Sequence, residues 1–334
     1  MFGYSLSDER RAYERADEAL QNRAASIIEP LIPPDAKDRV TRAFNQWNQI
    51  IREHIRSETA LKLTDGDGRY SIPVRIVNGF PKRLAELIDR HQDPVLWLLI
   101  LGQPKLGGVV EGVRFLLDKW EKLEPWPSLP ANAKNGQPHL AHSLDIVRAL
   151  QQVALMEQVK AEIKEIKEDI LGAYFYPVDQ NKRIELYWIP IAMIAAMLDV
   201  RIEDLTLVVL AHELAHGYTH LGRDIEGALW DDKEFQQTDL NIKEGLAQFY
   251  IEVVMGKLAA RTPGPKDAYE RLLDLQSGPY LVHRDWLKGH SRRRGEAVRF
   301  TLVAARKRRV VKYDEWLKML NDADASLGRA EYYE

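Results

Sequence analysis

The stretch that most constrains this chain is 207–216, where five apolar residues lead directly into two histidines. The apolar residues are Leu207–Ala211, and His212-Glu213-Leu214-Ala215-His216 follows them. A helix with apolar residues on all sides has to be buried in the protein interior. Two acidic residues precede the stretch, which favours a helix start, and Gly222 favours a helix end. We therefore predict a buried helix over 203–221.

The spacing of the two histidines indicates a metal site. His212 and His216 are four residues apart, so they lie on one helix face, about 6 Å apart along the axis. Two imidazoles so placed can converge on one Zn²⁺ at about 2.0–2.1 Å. Glu213, about 100° around the helix from His212, can flank the metal without binding it. There it can take a proton from a water whose pKa the metal has lowered, which predicts a hydrolase with Glu213 as catalytic base.

The composition narrows the ligand set and the compartment. The 334 residues include no cysteine, which excludes disulfides, thiolate catalysis and cysteine-ligated zinc. The net charge of −3 gives no reason to invoke nucleic acid or a membrane. The N-terminus has no apolar signal core, and no apolar run is long enough to span a bilayer. We expect a soluble cytoplasmic protein that binds no membrane.

A catalytic zinc usually has three protein ligands, so one more is required. Thr219 and Gly222 exclude the class that extends the motif to H-E-x-x-H-x-x-G-x-x-H. Downstream, Glu244-Gly245-Leu246-Ala247 lies on a second predicted helix over 241–250. This combination resembles the gluzincin zinc metallopeptidases, which include thermolysin-like proteases and thermolysin-related aminopeptidases. The resemblance covers about 183–310 and implies that Glu244 is the third ligand.

The resemblance also implies how the site is built. The expected fold is α+β and predominantly helical, with a gluzincin-like catalytic core that contains a small sheet. Gluzincins bind substrate as an extra strand along a sheet edge, and the β-rich segment Ile184–Ile189 is the candidate edge strand. Thermolysin-like members hold a zinc histidine with an Asp four residues after the ligand Glu. Gln248 stands at that position, where it could accept the same hydrogen bond without a charge.

A gluzincin site also needs a hydrogen-bond donor for the developing oxyanion. Tyr280 follows Gly278-Pro279 at a predicted helix start. Thermolysin-related aminopeptidases carry their catalytic tyrosine in a similar Pro-Tyr context. His283, one turn further on, would serve instead in a thermolysin-like site. Both residues are candidates, and ordinary packing of Tyr280 beneath a loop is the alternative to either.

Proline and glycine suggest the organisation of the chain. Four prolines and a glycine between 124 and 138 mark a candidate boundary. We divide the chain into a helical N-terminal region of unknown role, 1–130, and a catalytic domain, 131–334. Turn residues at 65–68 predict a β-hairpin over 61–77. A single long helix is predicted from about Ser143 to Gly172.

We expect a zinc metallopeptidase that acts on a peptide or protein, and three alternatives remain. The first is a zinc hydrolase of a non-peptide amide or ester. The second is a regulatory or binding protein with a catalytically silent zinc site, although such a site does not need Glu213. The third is a nucleic-acid-binding protein that uses the segment from Arg284 to Lys312, which has eleven Lys or Arg. Sparse aromatic residues in that segment favour a solvated helix face instead.

Overall fold

The computed structural model describes residues 18–63, 72–123, 141–146, 154–166, 170–176, 182–286, 288 and 293–331. The α-helices, in chain order, are α1 (Glu18–Ile28), α2 (Ala36–Thr59), α3 (Lys82–Arg90), α4 (Pro94–Leu123), α5 (Ala154–Glu165), α6 (Trp188–Leu198), α7 (Ile202–Leu221), α8 (Asp232–Gln237), α9 (Leu240–Ala259), α10 (Gly264–Leu273), α11 (His283–Trp286), α12 (Arg294–Arg308) and α13 (Tyr313–Glu331). Residues 141–146 are also helical, and 3-10 turns cover Glu29–Leu31 and Gly278–Leu281. Within these described segments, no helix is both long enough and apolar enough to cross a bilayer.

A small sheet of three strands accompanies the helices, namely β1 (Val74–Val77), β2 (Gly172–Phe175) and β3 (Arg183–Tyr187). The strand order is β1-β3-β2. Strand β1 runs parallel to β3, and β2 runs antiparallel to it. The predicted architecture, α+β and predominantly helical with a small sheet, is confirmed at this level.

The sheet corrects two predictions about strands. The segment Ile184–Ile189 is not an edge strand, because β3 is paired on both sides and β1 and β2 form the two edges of the sheet. The hairpin over 61–77 is also wrong. Lys62 pairs with Arg223, and Val74–Val77 pairs with β3, so the two halves have separate, distant partners. The predicted turn at 65–68 lies outside the described residues.

The structure agrees with the helix predicted over the motif, but it does not contain the single long helix predicted from Ser143 to Gly172. Helix α7 begins one residue before the predicted start and ends at Leu221, with Gly222 as its C-cap. The single helix from Ser143 to Gly172 is wrong, because α5 ends at Glu165 and Gly172 opens β2. Residues 171–176, at and just beyond its predicted end, include Tyr174, Phe175 and Tyr176, and such aromatic residues favour a strand.

The N-terminal part contributes directly to the packing of the motif helix. Helix α7 packs against α2 and α9, and the Tyr218 hydroxyl donates to the carbonyl oxygen of Arg52 on α2 at 3.1 Å. One hydrophobic core cluster contains residues from both sides of position 130. Residues 124–138 lie outside the described residues, so the separability of the two regions stays a prediction.

Candidate metal centre

Helix α7 brings His212, Glu213 and His216 into the interior. Every residue from 204 to 220 is buried, as expected for a helix that is apolar on all sides. Glu203 and Asp204 lie in its first turn, where the helix dipole favours negative charge. The motif is therefore held on a rigid element that is shielded from water, which strengthens the electrostatic interactions of its side chains.

Helix α9 supplies the third member of the group, Glu244. Gly245 makes the packing of α9 possible, because a Cβ there would lie 2.6 Å from the Trp286 ring and 2.8 Å from Val282. A glycine beside the acidic residue therefore allows α11 and the preceding turn to approach α9 closely. Because Glu244 is fixed on a buried helix, its position relative to α7 is set by core packing rather than by a loop.

The three side chains converge with the spacing of metal ligands. His212 Nε2 and His216 Nε2 are 3.0 Å apart. Glu244 Oε2 is 3.3 Å from the first nitrogen and 3.4 Å from the second. Ligands at 2.0–2.1 Å from one ion in tetrahedral geometry are about 3.3 Å from each other. The buried group His212, His216 and Glu244 could hold a metal ion with a fourth corner for water or substrate.

Glu244 fits a ligand by its electrostatics as well as by its position. Burial works to raise its pKa, but the nearby His216 and His212 outweigh burial, so the pKa lies well below the usual range. The carboxylate therefore stays ionised in the protein interior. Glu244 Oε2 lies 3.3–3.4 Å from the two imidazole nitrogens and makes no well-aligned hydrogen bond with any described residue. A buried carboxylate oxygen in that position can be satisfied by coordination to a cation.

Glu213 is positioned by close contact with the edge strand β2. It is only 1% exposed. A Cβ at Gly172 would lie 3.0 Å from both Cγ and Oε1 of Glu213. Gly172 therefore allows the strand to lie directly against this carboxylate. Sequence reasoning missed this role because it assigned Gly172 to the end of a helix.

Tyr280 lies at the same site. Its ring centroid is 6.1 Å from that of His212, and it lines the same cavity as His212 and Glu213. The 3-10 turn that carries it begins at Gly278, whose φ of +59° is a conformation that favours glycine. The turn therefore delivers a phenol to the cavity that contains the motif.

The structure places His283 in a different environment. It is fully buried, with Nε2 3.0 Å from the Tyr269 hydroxyl and 3.1 Å from Glu252 Oε2. The described residues that line the cavity include Tyr280 but not His283. Its contacts with Tyr269 and Glu252 are those of a packed histidine that joins α10, α9 and α11. The structure thus brings one of the two predicted oxyanion donors to the cavity.

Gln248 makes a different hydrogen bond from the one predicted. Its Nε2 donates to Gln276 Oε1 at 3.1 Å. Within the described part of the chain, Gln248 Oε1 accepts no hydrogen bond, so it does not hold a metal-site histidine in the way that the resemblance would have allowed. Both amides line the cavity. The side chain at this position therefore belongs to the cavity wall rather than to the support of the histidines.

His220, the third histidine of α7, belongs to a separate cluster. Its Nδ1 is 3.0 Å from the Tyr174 hydroxyl, and its Nε2 is 3.2 Å from Asp232 Oδ1. Its ring stacks on Phe235 with centroids 4.1 Å apart. Burial, followed by the charge of Lys182, lowers its pKa well below the usual value. This cluster ties the end of α7 to β2 and α8.

The Arg-rich segment is largely occupied by contacts within the protein. Arg294 pairs with Asp324, and Arg309 pairs with Glu234. Arg306 is buried and donates to the carbonyl oxygens of Gly222 and Ala228. Burial lowers the pKa of Arg306 to about 10. These contacts give several of the basic residues a structural role.

Comparisons with protein-family models, curated proteins and solved structures find no match for this chain. The gluzincin resemblance therefore rests on the residues and geometry of this chain alone.

Proposed function

We propose that this chain is a zinc-dependent metallopeptidase in which His212, His216 and Glu244 hold the metal and Glu213 is the general base. The observation that carries the proposal is the convergence of two imidazole nitrogens and one carboxylate oxygen at 3.0–3.4 Å from one another. Two nitrogen ligands, one oxygen ligand and an open fourth position are the donor set of a catalytic zinc.

Zinc at this site would supply a Lewis acid that acidifies water and polarises a carbonyl oxygen. Glu213 accepts the proton of the attacking water and passes it to the leaving amine nitrogen. Its contact with Gly172 limits the rotamers that the carboxylate can adopt. Tyr280 donates a hydrogen bond to the carbonyl oxygen as negative charge develops there.

The motif resemblance favours a peptide over another amide or ester as the substrate. Within the described residues, β2 is an edge strand of the sheet, but all four of its residues are buried, so it is not an open edge for an added peptide. Its first residue, Gly172, is in contact with the proposed base.

The experiment that tests the function is mass spectrometry of a whole-cell extract incubated with the wild-type protein or with Glu213→Gln. We expect new peptide termini with wild type only, because the variant keeps the ligands and lacks the base. The loss of rate should be about 10²–10⁴-fold, the usual contribution of a general base. Equal numbers of new termini with both proteins would contradict the role of Glu213, and no new termini with either would contradict the peptidase function.

A further inference from the structure

The cavity at the metal centre combines an apolar interior with a single cation. Its volume is about 340 Å³, roughly twice that of a cavity that holds one benzene molecule. Aliphatic side chains form most of the wall, including Ile163, Ile194, Val208, Ile251 and Leu275. Among the described residues that line the cavity, Lys164 is the only Lys or Arg, and the proposed base Glu213 is the only Asp or Glu. The charge that this lining offers to a ligand is therefore positive.

Lys164 carries that charge at the mouth of the cavity. It lies in the last turn of α5 and is exposed, whereas Ile163 beside it is buried. A lysine in such a place packs its methylene groups against the apolar wall and keeps its ammonium group in water. Lys160, one turn earlier, is paired with Glu157 at 3.4 Å, but no described residue forms an ion pair with Lys164. Its ammonium group is therefore open to an anionic ligand.

We propose that the site takes the carboxyl-terminal end of a peptide, with the apolar side chain of the last residue in the cavity and its carboxylate paired with Lys164. A terminal residue carries both groups on one Cα, so it meets the aliphatic wall and the cation together. A free amino terminus would instead meet a like charge at Lys164. Glu213 cannot be its partner, because Glu213 is 1% exposed and is the proposed base.

This inference rests on the proposed function and assigns a product to it. The oxygen of the attacking water bonds to the last peptide carbonyl carbon, the C–N bond breaks, and the amine nitrogen receives the proton that Glu213 carries. The products are one free amino acid with an apolar side chain and a peptide shortened by one residue. Lys164 contributes to the binding of the substrate and not to the chemical step, so its loss should raise KM and leave kcat unchanged.

Binding of N-acetyl-leucine and N-acetyl-leucinamide to zinc-loaded Glu213→Gln tests the carboxylate contact without turnover. The two ligands share one side chain, so the difference between them reports the carboxylate. We expect the acid to bind about fivefold more tightly than the amide, the upper end for an exposed ion pair. With Lys164→Met added, the difference should fall below about twofold, and with Lys164→Glu added, the amide should bind more tightly. Ligand-observed NMR titration measures these affinities.

Two results would overturn the proposal in this binding assay. If the preference for the acid is undiminished in Lys164→Met, the carboxylate binds the zinc and not Lys164. Lys160→Glu is the matched control, because it makes the same change of charge on α5 at a residue outside the described lining. It should leave the preference within about twofold of its original value. A loss as large as in Lys164→Glu would mean that the charge of α5 acts at long range, without a contact. An unchanged affinity for the amide verifies that the cavity is intact in each variant.

Cleavage of two peptides that end in leucine, one as the free acid and one as the amide, separates this inference from the proposed function. We expect the last residue to be released from the acid with a kcat/KM about fivefold higher than from the amide. Cleavage at internal bonds, at equal rates for both peptides, would overturn the inference and leave the peptidase function intact. Lys164-dependent binding of the acid without cleavage of any peptide would contradict the function and leave the carboxylate contact intact.

Discussion

Helix α7 carries two buried groups of histidine and carboxylate, one turn apart, and they differ in how their polar atoms are satisfied. In the first group, His212 and His216 meet Glu244 from α9. In the second, His220 meets Tyr174 from β2 and Asp232 from α8. Both groups combine imidazole with an acidic side chain, and all three histidines are buried.

The partners in the second group come from the protein itself. His220 Nδ1 is 3.0 Å from the Tyr174 hydroxyl, and Nε2 lies 3.2 Å from Asp232 Oδ1 without a well-aligned hydrogen bond. Asp232 is in turn paired with Lys182 at 2.9 Å. In the first group, the two imidazole nitrogens and the carboxylate oxygen lie around one point. The same residue types are therefore structural where protein partners surround them and suited to a metal where they converge on each other.

Metal content is the largest expected difference between the two groups. His212→Ala, His216→Ala or Glu244→Ala should reduce bound zinc from about one per chain to near zero, because two ligands do not retain the ion. His220→Ala should leave the zinc content unchanged, as should Glu213→Gln. Inductively coupled plasma mass spectrometry after dialysis measures the ratio of zinc to protein. Loss of zinc in Glu213→Gln as complete as in His216→Ala would refute the assignment of Glu213 as base.

Removal of the oxyanion donor should have the next largest effect, a fall in kcat. The Tyr280→Phe variant should have the same zinc content and the same fold as wild type. Its kcat should be about 10²–10³-fold lower, as after removal of an oxyanion donor in other enzymes. His283→Ala should mainly lower stability, because His283 is packed against Tyr269 and Glu252. Steady-state kinetics of both variants on a peptide identified in the extract provide the comparison. If kcat is normal in Tyr280→Phe and strongly reduced in His283→Ala, the oxyanion donor is His283 and not Tyr280.

The His220 cluster should affect stability rather than chemistry. His220→Leu leaves the buried Tyr174 hydroxyl without its imidazole partner, so the free energy of unfolding should fall by about 1–3 kcal/mol. Urea denaturation with Tyr174→Phe and the double variant measures the coupling between the two residues. A lowered zinc content in His220→Leu, with no loss of stability, would show that the two groups on α7 are not separate.

The same cluster should contribute to acid sensitivity. Burial and nearby cations hold the pKa of His220 well below its usual 6.5. The unfolded chain therefore binds a proton near pH 6.5 that the folded protein does not, so this contribution to stability is complete above pH 6.5 and declines as the pH falls below it. The urea midpoint should therefore change less with pH between pH 5 and 8 in His220→Leu than in wild type. An unchanged slope in that variant would contradict the lowered pKa.

The helices and the metal group were predictable because their signals are local. Apolar residues before His212 determine a buried helix, and the spacing of four residues places His212 and His216 on one face. The pairing of Glu244 with them depends on packing between α7 and α9, which the sequence pattern indicated only through resemblance. His220 lies about 12 Å along the helix axis from His212, which is too far for the two to share one metal ion.

The features that were not predictable depend on contacts between distant segments. Strand β1 pairs with β3 across more than a hundred residues, and no local turn signal specifies such a partner. The contact of Gly172 with Glu213 and the bond between Gln248 and Gln276 arise from the same long-range packing. His283 was a candidate donor through the resemblance to thermolysin-like sites, but its side chain is held by contacts with Tyr269 and Glu252.

X-ray absorption spectroscopy of zinc bound to Glu213→Gln tests the central claim most directly, because this variant keeps the ligands and does not turn over. We expect a four-coordinate shell with two imidazole nitrogens at about 2.0–2.1 Å and oxygen atoms from Glu244 and water. His216→Ala should retain almost no zinc and therefore give no such shell, whereas His220→Ala should keep both the zinc and its imidazole contribution. A zinc shell made of oxygen alone, or an imidazole signal that survives in His216→Ala and disappears in His220→Ala, would contradict the proposed metal centre.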